Sequence, residues 1–504
     1  MSKEKVMNRR QFLGATASVA AVTVVPRHIL GGPGFVAPSE KVNIACIGVG
    51  SQGLRVMLEY LSRSDVKIVS VCDVNKESHD YVEWGIRELR NKARKLIGSD
   101  YANGADDSKG GTAGREPARR IVEAYYAKQN DKGSYKGCSA YNDYRELLEK
   151  EKDLDAVIVG TPDHTHALIS IAAMKKSKHV FCQKPTTHSV AEARRMADVA
   201  RETKVATQVA VGNQAAEPTR LLCEWIWDGA IGPVREVHNW SGRPYWPQGL
   251  DRPKEAEPVP PELDWDLWIG PAPFRPFHHI YLPFVWRGWW DFGTGALGDM
   301  GCYSFDTIFR VLKLDAATSV EAAPCKEHIM VREGTTVKVN KETFPHASII
   351  RFHFPARGEM PPVTLTWYDG GMLPARPEEL EDDRQLDDEG MLFVGDKGKI
   401  LCEFTGGNSR LIPDAKMKAF QQPPKTLPRS VGHHQEWIDA CKGGKPAGAN
   451  FEFEARVTET LLLGNVAMRA DKKMLRWDGK NLKSPDLSDS DKYVNPPYRE
   501  GWTL

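Results

Sequence analysis

The stretch "KVNIACIGVGSQGLRVMLEYL" constrains the fold more than any other part of this chain. An apolar segment, Val42–Ile47, leads into a glycine pattern and then into an amphipathic segment. The next apolar segment, "VKIVSVCD", ends at Asp73, twenty residues after Gly53. A strand, a G-x-G-x-x-G turn, a helix and an acid after the second strand are typical of a dinucleotide-binding unit. The alternative is a glycine-rich turn in some other α/β protein.

The glycine pattern also predicts how a dinucleotide would be held. Glycines allow the tight turn and let backbone amides reach a pyrophosphate at the start of the helix. The residues of this unit predicted to bind the cofactor are Gly48, Gly50, Ser51, Gln52, Gly53 and Asp73. Asp73 would accept hydrogen bonds from a ribose diol and repel a 2′-phosphate, which favours NAD over NADP.

The order of apolar segments predicts two domains. Up to about residue 212, strands such as "DAVIVG" and "HVFC" alternate with helices, which indicates a doubly wound parallel sheet of the Rossmann type. We expect a polar helix over about 76–97, followed by an insertion at about 98–116. From about 215, apolar and polar residues alternate, as in "HASIIRFHF", which predicts a C-terminal α+β domain with an open, largely antiparallel sheet.

The N-terminus has the pattern of an export signal. Adjacent Arg9 and Arg10 are followed by the apolar run Gly14–Val25, which is too short to span a bilayer but suits a signal peptide. The pattern indicates a twin-arginine signal and an exported, periplasmic protein, with a retained signal anchor as the alternative. The expected division is 1–38 signal and linker, 41–212 NAD-binding domain, 213–480 substrate-binding domain and 481–504 C-terminal tail.

Charge and hydropathy narrow the class of partner. The net charge is +1, which argues against nucleic acid as a main partner. Beyond the N-terminus no apolar run approaches the length of a transmembrane helix. His, Cys and acidic residues show no metal-ligand spacing, so no metal is expected.

Two neighbouring strand ends carry polar residues that would meet at one edge of the parallel sheet. "VGTPDHTH" places Thr161, Pro162 and His166 after one strand, and "FCQKP" places Gln183 and Lys184 after the next. Ligands of open α/β sheets bind at this carboxyl edge. All five residues are therefore predicted to lie beside the cofactor, and the proline after Lys184 restricts the direction of its side chain. A helix-end role is the alternative for His166.

The segment "DFGTGALGDMGCYSFD" supplies a third element. Its glycines allow backbone to approach a ligand closely, and the helix that follows carries Asp299 and Tyr303 four positions apart. That spacing places a carboxylate and a phenol on one helical face.

These motifs together resemble the Gfo/Idh/MocA (glucose–fructose oxidoreductase, inositol dehydrogenase, rhizopine catabolism) oxidoreductases, which include exported twin-arginine members. The family has a Rossmann domain, an E-K-P motif after the fifth strand and an Asp/His pair spaced D-x-x-x-H. Lys184 and Pro185 match E-K-P, and Asp299 matches the aspartate. Gln183 replaces the glutamate and Tyr303 the histidine. The resemblance implies Lys184, Asp299 and Tyr303 as catalytic residues and an oligomer built on the outer sheet face.

The uncharged Gln183 suggests a hypothesis about proton transfer. Without a carboxylate beside it in sequence, Lys184 would titrate lower than in the family and exchange protons itself. Tyr303 would then need the cationic Lys184 to bring its own pKa down toward neutrality.

Seven of the fourteen tryptophans fall within residues 240–290, mixed with Arg, His and Pro. Aromatic faces with polar tips suit sugar rings, although packing is the usual role of such clusters. The candidate substrate residues are Asn213, Tyr245, Trp286 and Arg287.

The sequence therefore predicts an NAD-dependent oxidoreductase that acts on a hydroxyl of a sugar, polyol or glycoside. Because free NAD is scarce outside the cytoplasm, export implies a tightly held cofactor. An NAD-dependent glycoside hydrolase with no net redox change is the alternative, and a non-catalytic NAD- or sugar-binding protein is a third.

Overall fold

The computed structural model describes residue 37 and residues 40–101, 111–130, 133–332, 334–338, 340–470, 474–487 and 491–504. The twin-arginine segment and residues 102–110 of the expected insertion lie outside these residues. Within the described part of the chain, no helix is both long and apolar enough to cross a membrane.

The N-terminal domain is built on a six-stranded parallel sheet with the order β5-β2-β1-β6-β7-β8. The strands of this domain are β1 (Val42–Ile47), β2 (Val66–Cys72), β3 (Ser78–Tyr81), β4 (Gly111–Ala113), β5 (Ser139–Tyr141), β6 (Ala156–Val159), β7 (His179–Cys182) and β8 (Thr207–Val209). The helices are α1 (Ser51–Leu61), α2 (Glu88–Ile97), α3 (Arg115–Lys128), α4 (Tyr144–Lys150), α5 (Asp163–Lys175) and α6 (Val190–Thr203).

Strand β1 shows why this sheet is buried on both faces. Ile44 and Cys46 pack into one hydrophobic core, whereas Ala45 and Ile47 pack into a second core on the other face. Helices therefore cover both sides, which explains why the central strands β1, β6 and β7 are mostly apolar.

The expectation of one polar helix over about 76–97 is wrong in its first half. Ser78–Tyr81 is a strand that pairs antiparallel with Gly111–Ala113, and the helix begins only at Glu88. "SHDY" has no apolar alternation, and its partner lies about thirty residues away, so local periodicity could not reveal the strand.

The C-terminal domain is built on an eight-stranded sheet with the order β17-β16-β15-β9-β14-β13-β10-β18. Neighbouring strands are antiparallel except β9 and β14, which run parallel. The strands are β9 (Val234–Trp240), β10 (Ser319–Pro324), β11 (Glu327–Val331), β12 (Gly334–Lys338), β13 (Ser348–Phe354), β14 (Val363–Tyr368), β15 (Gly390–Gly395), β16 (Gly398–Cys402), β17 (Arg410–Ile412) and β18 (Leu475–Arg476). The predicted fold class, a Rossmann domain followed by an α+β domain with a largely antiparallel sheet, is confirmed.

The remaining helices are α7 (Glu217–Trp227), α8 (Trp265–Ile269), α9 (Gly295–Leu312), α10 (Asp414–Ala419), α11 (His433–Cys441), α12 (Phe451–Ala470) and α13 (Asp491–Val494). Helices α9 and α12 pack on one face of the second sheet, where Phe305 and Leu461 share a core with Phe352 and Trp367. Helix α12 also packs against α6 of the first domain, and the Arg194 guanidinium there contacts both carboxylate oxygens of Glu459 at 2.8 and 2.9 Å.

Candidate active site

A cavity of about 360 Å³ opens at the carboxyl edge of the parallel sheet and is shared by both domains. The strand ends around it are held in register by backbone hydrogen bonds from Gly160 to Ile47 (2.7 Å) and from Gln183 to Val159 (2.8 Å). The predicted site residues that line the cavity are Gly48, Gly50, Ser51, Gln52, Asp73, Thr161, Pro162, Gln183, Lys184, Trp286, Arg287, Asp299 and Tyr303.

The glycine turn leaves no room for side chains. Gly48 has a φ of +79°, and a Cβ there would lie 2.6 Å from the backbone nitrogen of Thr161. A Cβ on Gly53 would lie 1.8 Å from the carbonyl oxygen of Gly48. Gly53 does not line the cavity, so its contribution is the close approach of α1 to the turn.

Asp73 directly follows the last residue of β2, as the sequence predicts. Its carboxylate accepts hydrogen bonds from the backbone N–H groups of Val49 (2.7 Å) and Asn75 (2.8 Å). Burial raises the pKa of Asp73 to about 6 against the effect of these two bonds. Each carboxylate oxygen retains a lone pair for a further donor, such as a ribose hydroxyl.

Lys184 is held by a residue from the other domain. Its Nζ donates to the Asp299 carboxylate at 2.9 Å and to the Asp299 carbonyl at 2.6 Å. The Arg287 Nε donates to the same carboxylate oxygen of Asp299 at 3.0 Å. Burial raises the pKa of Asp299, but the two cations outweigh it and bring that pKa down to about 2.

The expectation that Lys184 titrates low is wrong. Burial is the largest single effect and lowers its pKa, but the Asp299 carboxylate together with Tyr303 and Cys302 outweighs burial, and the pKa of Lys184 lies above its ordinary value. Gln183 does remove a charge beside Lys184 in sequence, yet Asp299 supplies one in space. Lys184 therefore presents an ammonium to the cavity.

Tyr303 is likewise not brought down toward neutrality. The Lys184 Nζ lies 4.9 Å from the centroid of its ring, and its charge lowers the pKa of the phenol. Burial has the larger effect and raises the pKa of Tyr303 above its ordinary value. The phenol is therefore a hydrogen-bond donor at neutral pH.

Besides Gly53, three predicted site residues do not line the cavity. His166 lies behind its wall, and its ring nitrogens are 2.8 Å from the Pro185 and Thr161 carbonyl oxygens, so it braces the two strand ends. Asn213 is buried and donates to the Tyr303 carbonyl at 2.8 Å. Tyr245 is exposed, and the Arg243 guanidinium lies 3.6 Å from its ring centroid. The sequence places each residue near a strand or loop end but does not show where its side chain points.

Most of the aromatic cluster at 240–290 is a packed core, which corrects its assignment to sugar contact. Trp265, Trp289 and Tyr281 are buried in a cluster with Phe277 and Phe292. From this region Trp268, Phe284 and Trp286 line the cavity.

The structure adds Asp163 to the site, a residue between Pro162 and His164 that the sequence motifs did not indicate. It is 2% exposed, lines the cavity and accepts a hydrogen bond from the Thr294 hydroxyl at 2.7 Å. Burial raises the pKa of Asp163 to about 7. An acid directly after a proline at the start of a helix is typical of a residue that stabilises the helix end. Only its burial on the cavity wall indicates a role in the site. Trp84, Arg243 and Trp502 also line the cavity and were not predicted.

The residues present fit a dinucleotide. The glycine turn forms a cradle that a Cβ would fill, and Asp73 stands at the end of β2. The side-chain nitrogen of Gln183 is buried on the cavity wall and finds no hydrogen-bond partner among the described residues. Such a nitrogen is a ready donor to a ligand carbonyl.

Among the described residues, one group of three side chains outside the cavity brings possible metal-ligand atoms close together. Ligand atoms of Glu257, His278 and His279 all lie within 4.8 Å of one another. The Nδ1 of His278 accepts the Ile280 N–H, so in the neutral ring Nε2 carries the proton and cannot act as a ligand. The Glu257 carboxylate instead pairs with His279 at 2.6 Å.

Two family models of the Gfo/Idh/MocA type match the chain. The model of the oxidoreductase family's NAD-binding Rossmann fold matches residues 96–211, and that of its C-terminal alpha/beta domain matches residues 234–331. The two matches fall on the two domains of the structure.

Curated dehydrogenases and glycosyl hydrolases align with short parts of the chain. Levoglucosan dehydrogenase from Pseudarthrobacter phenanthrenivorans is 30% identical over 111 residues, 21% of this chain and 28% of that protein. A glycosyl hydrolase family 109 protein from Stenotrophomonas maltophilia is 29% identical over 177 residues, 35% of this chain and 29% of that protein. The chain thus matches less than a third of the length of each relative.

Among solved structures, the WlbA dehydrogenase from Bordetella pertussis, in complex with NADH and UDP-GlcNAcA, covers 87% of this chain and 99% of its own. The TM-score is 0.52 at 13% identity, so this likeness shows the fold alone. The family models and the curated relatives show that the chain is similar to NAD-binding oxidoreductases of the Gfo/Idh/MocA type.

Proposed function

We propose that this protein is an NAD-dependent dehydrogenase that oxidises a hydroxyl of a sugar, polyol or glycoside. One observation carries the proposal: a single cavity holds the glycine turn with Asp73 and, on another wall, the Lys184–Asp299 pair. The relatives named for levoglucosan and for glycoside hydrolysis support a carbohydrate substrate. Asp73 favours NAD over NADP.

The chain's own residues would bind the hydroxyl and move its proton. Lys184 donates to the substrate oxygen and stabilises the negative charge that develops there, and Tyr303 adds a neutral donor. Asp163 suits the role of proton acceptor because its pKa of about 7 lets it ionise near neutral pH. The chemistry that nicotinamide would supply when bound is acceptance of the hydride from the carbon, which leaves a carbonyl group.

The first experiment measures both the cofactor and the reaction. The protein is purified without added nucleotide and denatured, and the released NAD(H) is assayed. Native protein is then mixed with sugars and glycosides while reduced nicotinamide is followed by absorbance. We expect about one nucleotide per chain, reduced by substrate and remaining reduced. A protein that carries no nucleotide and binds none would contradict the proposal.

Lys184→Met tests the assignment of the ammonium. The variant should retain NAD and lose about 10²–10⁴-fold in kcat, because the charge that stabilises the substrate oxygen is gone. Lys152→Met is the matched control, since that side chain is 78% exposed and lies outside the cavity. Full activity in Lys184→Met would refute the role of the ammonium.

The glycosyl hydrolase family 109 relative favours a second candidate, an NAD-dependent glycosidase. Such an enzyme would oxidise a ring carbon, eliminate the aglycone, add water and reduce the ring again. Release of 4-nitrophenol from a 4-nitrophenyl glycoside without lasting reduction of nicotinamide would support this candidate over the dehydrogenase.

We also propose export by the twin-arginine route, supported by Arg9 and Arg10 before an apolar run. Replacing both arginines by lysine should leave the protein in the cytoplasmic fraction. An unchanged distribution between fractions would contradict export by this route.

A further inference from the structure

Two aromatic rings form an open corner at the cavity mouth. Trp84 and Phe284 both line the cavity, with ring centroids 5.7 Å apart and ring planes at 78°. Trp84 is 60% exposed, and the buried Trp246 supports Phe284 from 6.0 Å away. We call Trp84 and Phe284 the aromatic corner.

The side chain of Arg287 connects the aromatic corner to the Lys184–Asp299 pair. The Arg287 guanidinium lies 4.5 Å from the centroid of the Phe284 ring. The same side chain reaches Asp299 at 3.0 Å, and Asp299 contacts Lys184 at 2.9 Å. A molecule whose reacting hydroxyl meets Lys184 would therefore reach the corner only if it extends past Arg287.

Polar groups border the corner. The guanidinium carbon of Arg243, which also lines the cavity, lies 5.9 Å from the Trp84 ring centroid. The Arg243 Nε is 3.4 Å from the Glu389 carboxylate, which also accepts the Ser241 hydroxyl at 2.6 Å. Flat apolar faces next to donors and acceptors match a pyranose ring, which has apolar C–H faces and hydroxyls at its edge.

The corner is assembled from both domains and is not a by-product of core packing. Trp84 belongs to the segment between β3 and α2, and Phe284 to a loop of the C-terminal domain. Phe284 has a φ of +68°, an uncommon conformation for a bulky residue that marks a locally strained position. A large exposed ring held beside a cavity is a feature of binding surfaces.

We propose that the aromatic corner binds a second hexose ring, joined by a glycosidic bond to the ring that presents its hydroxyl to Lys184. The preferred substrates are then disaccharides or longer glycosides rather than free hexoses. This inference rests on the proposed function, because it takes the hydroxyl at Lys184 as the reacting group.

Binding to the NAD-loaded protein tests the inference without relying on turnover. Isothermal titration compares each free hexose with a disaccharide that carries it at the non-reducing end: D-glucose with cellobiose and maltose, and D-galactose with lactose. For the hexose that binds, we expect a disaccharide to bind roughly ten-fold tighter, the gain typical of one aromatic contact. Trp84→Ala should remove this advantage and leave the Kd of the free hexose unchanged.

Ile86→Ala is the matched control, because Ile86 lies in the same segment, is 91% exposed and does not line the cavity. It should keep the disaccharide advantage. The far-UV circular dichroism spectrum and the urea midpoint of Trp84→Ala report whether that variant is folded, independently of its affinity for NAD.

Three results would overturn the inference while leaving the proposed function intact. The first is equal affinity for hexose and disaccharide in the unmodified protein. The second is an equal loss of affinity for both sugars in Trp84→Ala. The third is a Trp84→Ala variant that loses affinity for NAD but keeps its affinity for both sugars. A protein that binds NAD but none of these sugars would also overturn the inference, whereas the proposed function fails only if no sugar, polyol or glycoside reduces the bound nicotinamide.

Discussion

The charge on Lys184 is determined by a residue 115 positions away in the chain rather than by its sequence neighbour. Asp299 accepts from the ammonium through both its carboxylate and its carbonyl oxygen. Two mostly buried cations, Lys184 and Arg287, share this one carboxylate, so these three residues carry a net positive charge beside the cavity. That excess suits a site where an oxygen acquires negative charge.

Asp299→Asn should therefore change the pH dependence of catalysis. Without the carboxylate, burial and the nearby Arg287 would bring the pKa of Lys184 below its ordinary value. We expect a new basic limb in the pH–rate profile and a fall of about 10²–10³-fold in kcat/KM. Gln183→Glu is the comparison. Because Lys184 is already charged in the unmodified protein, the basic limb of the pH–rate profile should be unchanged in this variant. An unaltered profile in Asp299→Asn would refute the role given to the carboxylate.

Asp163 should make stability depend on pH. Its pKa in the folded protein is about 7, against roughly 4 in an unfolded chain. The folded state therefore keeps a proton that the unfolded state loses, and Asp163 reduces the free energy of unfolding as the pH rises from about 4 to 7. Asp163→Asn should be more stable than the unmodified protein above pH 7, by a few kcal/mol, and similar to it near pH 4.

Urea unfolding at pH 4.5 and pH 8 measures this difference. Asp228→Asn, at an exposed aspartate, is the control and should show a similar difference at both values. If Asp163→Asn and the unmodified protein differ by the same amount at both pH values, Asp163 does not titrate as described.

At the scale of elements, strands β3 and β4 and helix α2 lie against the glycine turn and α1. The backbone N–H of Gly114 donates to the Val49 carbonyl at 3.1 Å, and a Cβ on Gly50 would lie 2.8 Å from the Tyr81 ring. Arg55 of α1 binds both carboxylate oxygens of Glu88 at 2.9 Å. Elements tied down on both sides of the turn would slow the release of a bound dinucleotide.

Glu88→Gln should loosen these elements. Losing a charged, bidentate hydrogen-bond pair costs about 1–2 kcal/mol, so NAD should dissociate roughly ten-fold faster. Stopped-flow displacement of bound NAD by excess nucleotide analogue measures the rate. Lys92→Ala, which removes the more exposed partner of Glu88, should have little effect. Equal dissociation rates in Glu88→Gln and the unmodified protein would contradict this role.

At the scale of the whole molecule, the end of the chain returns to the N-terminal domain. The Tyr498 hydroxyl donates to the Glu192 carboxylate of α6, and Arg499 pairs with Asp266 at 2.5 Å. Trp502 lines the cavity, with the Arg145 guanidinium 4.8 Å from its ring centroid. The segment expected to be a tail is thus part of the cavity wall.

Trp502→Ala should weaken NAD binding several-fold, because Trp502 lines the cavity and lies beside Arg145 of the Rossmann domain. At saturating NAD, turnover should stay close to that of the unmodified protein. Leu504→Ala, at an exposed residue outside the cavity, is the control. Titration of NAD-stripped protein gives the affinities, and unchanged affinity in Trp502→Ala would show that the tail does not contribute to the NAD site.

The sequence by itself determined the parts that depend on local order. Strands β1, β2, β6 and β7 follow from short apolar runs, and the glycine turn follows from its spacing. Because the carboxyl ends of parallel strands share one edge, Thr161 and Lys184 could be placed in one cavity before any contact was known.

Only the tertiary structure decided which groups meet and how they ionise. Residues far apart in the chain form the contacts of Lys184, bury Asp163 and pair Trp84 with Phe284. Side-chain direction reassigned His166 and Asn213 from the cavity to its support, and packing placed most of the tryptophans in a core. Periodicity reports which face of an element is buried, whereas a pKa depends on the distances and desolvation that only the assembled fold fixes.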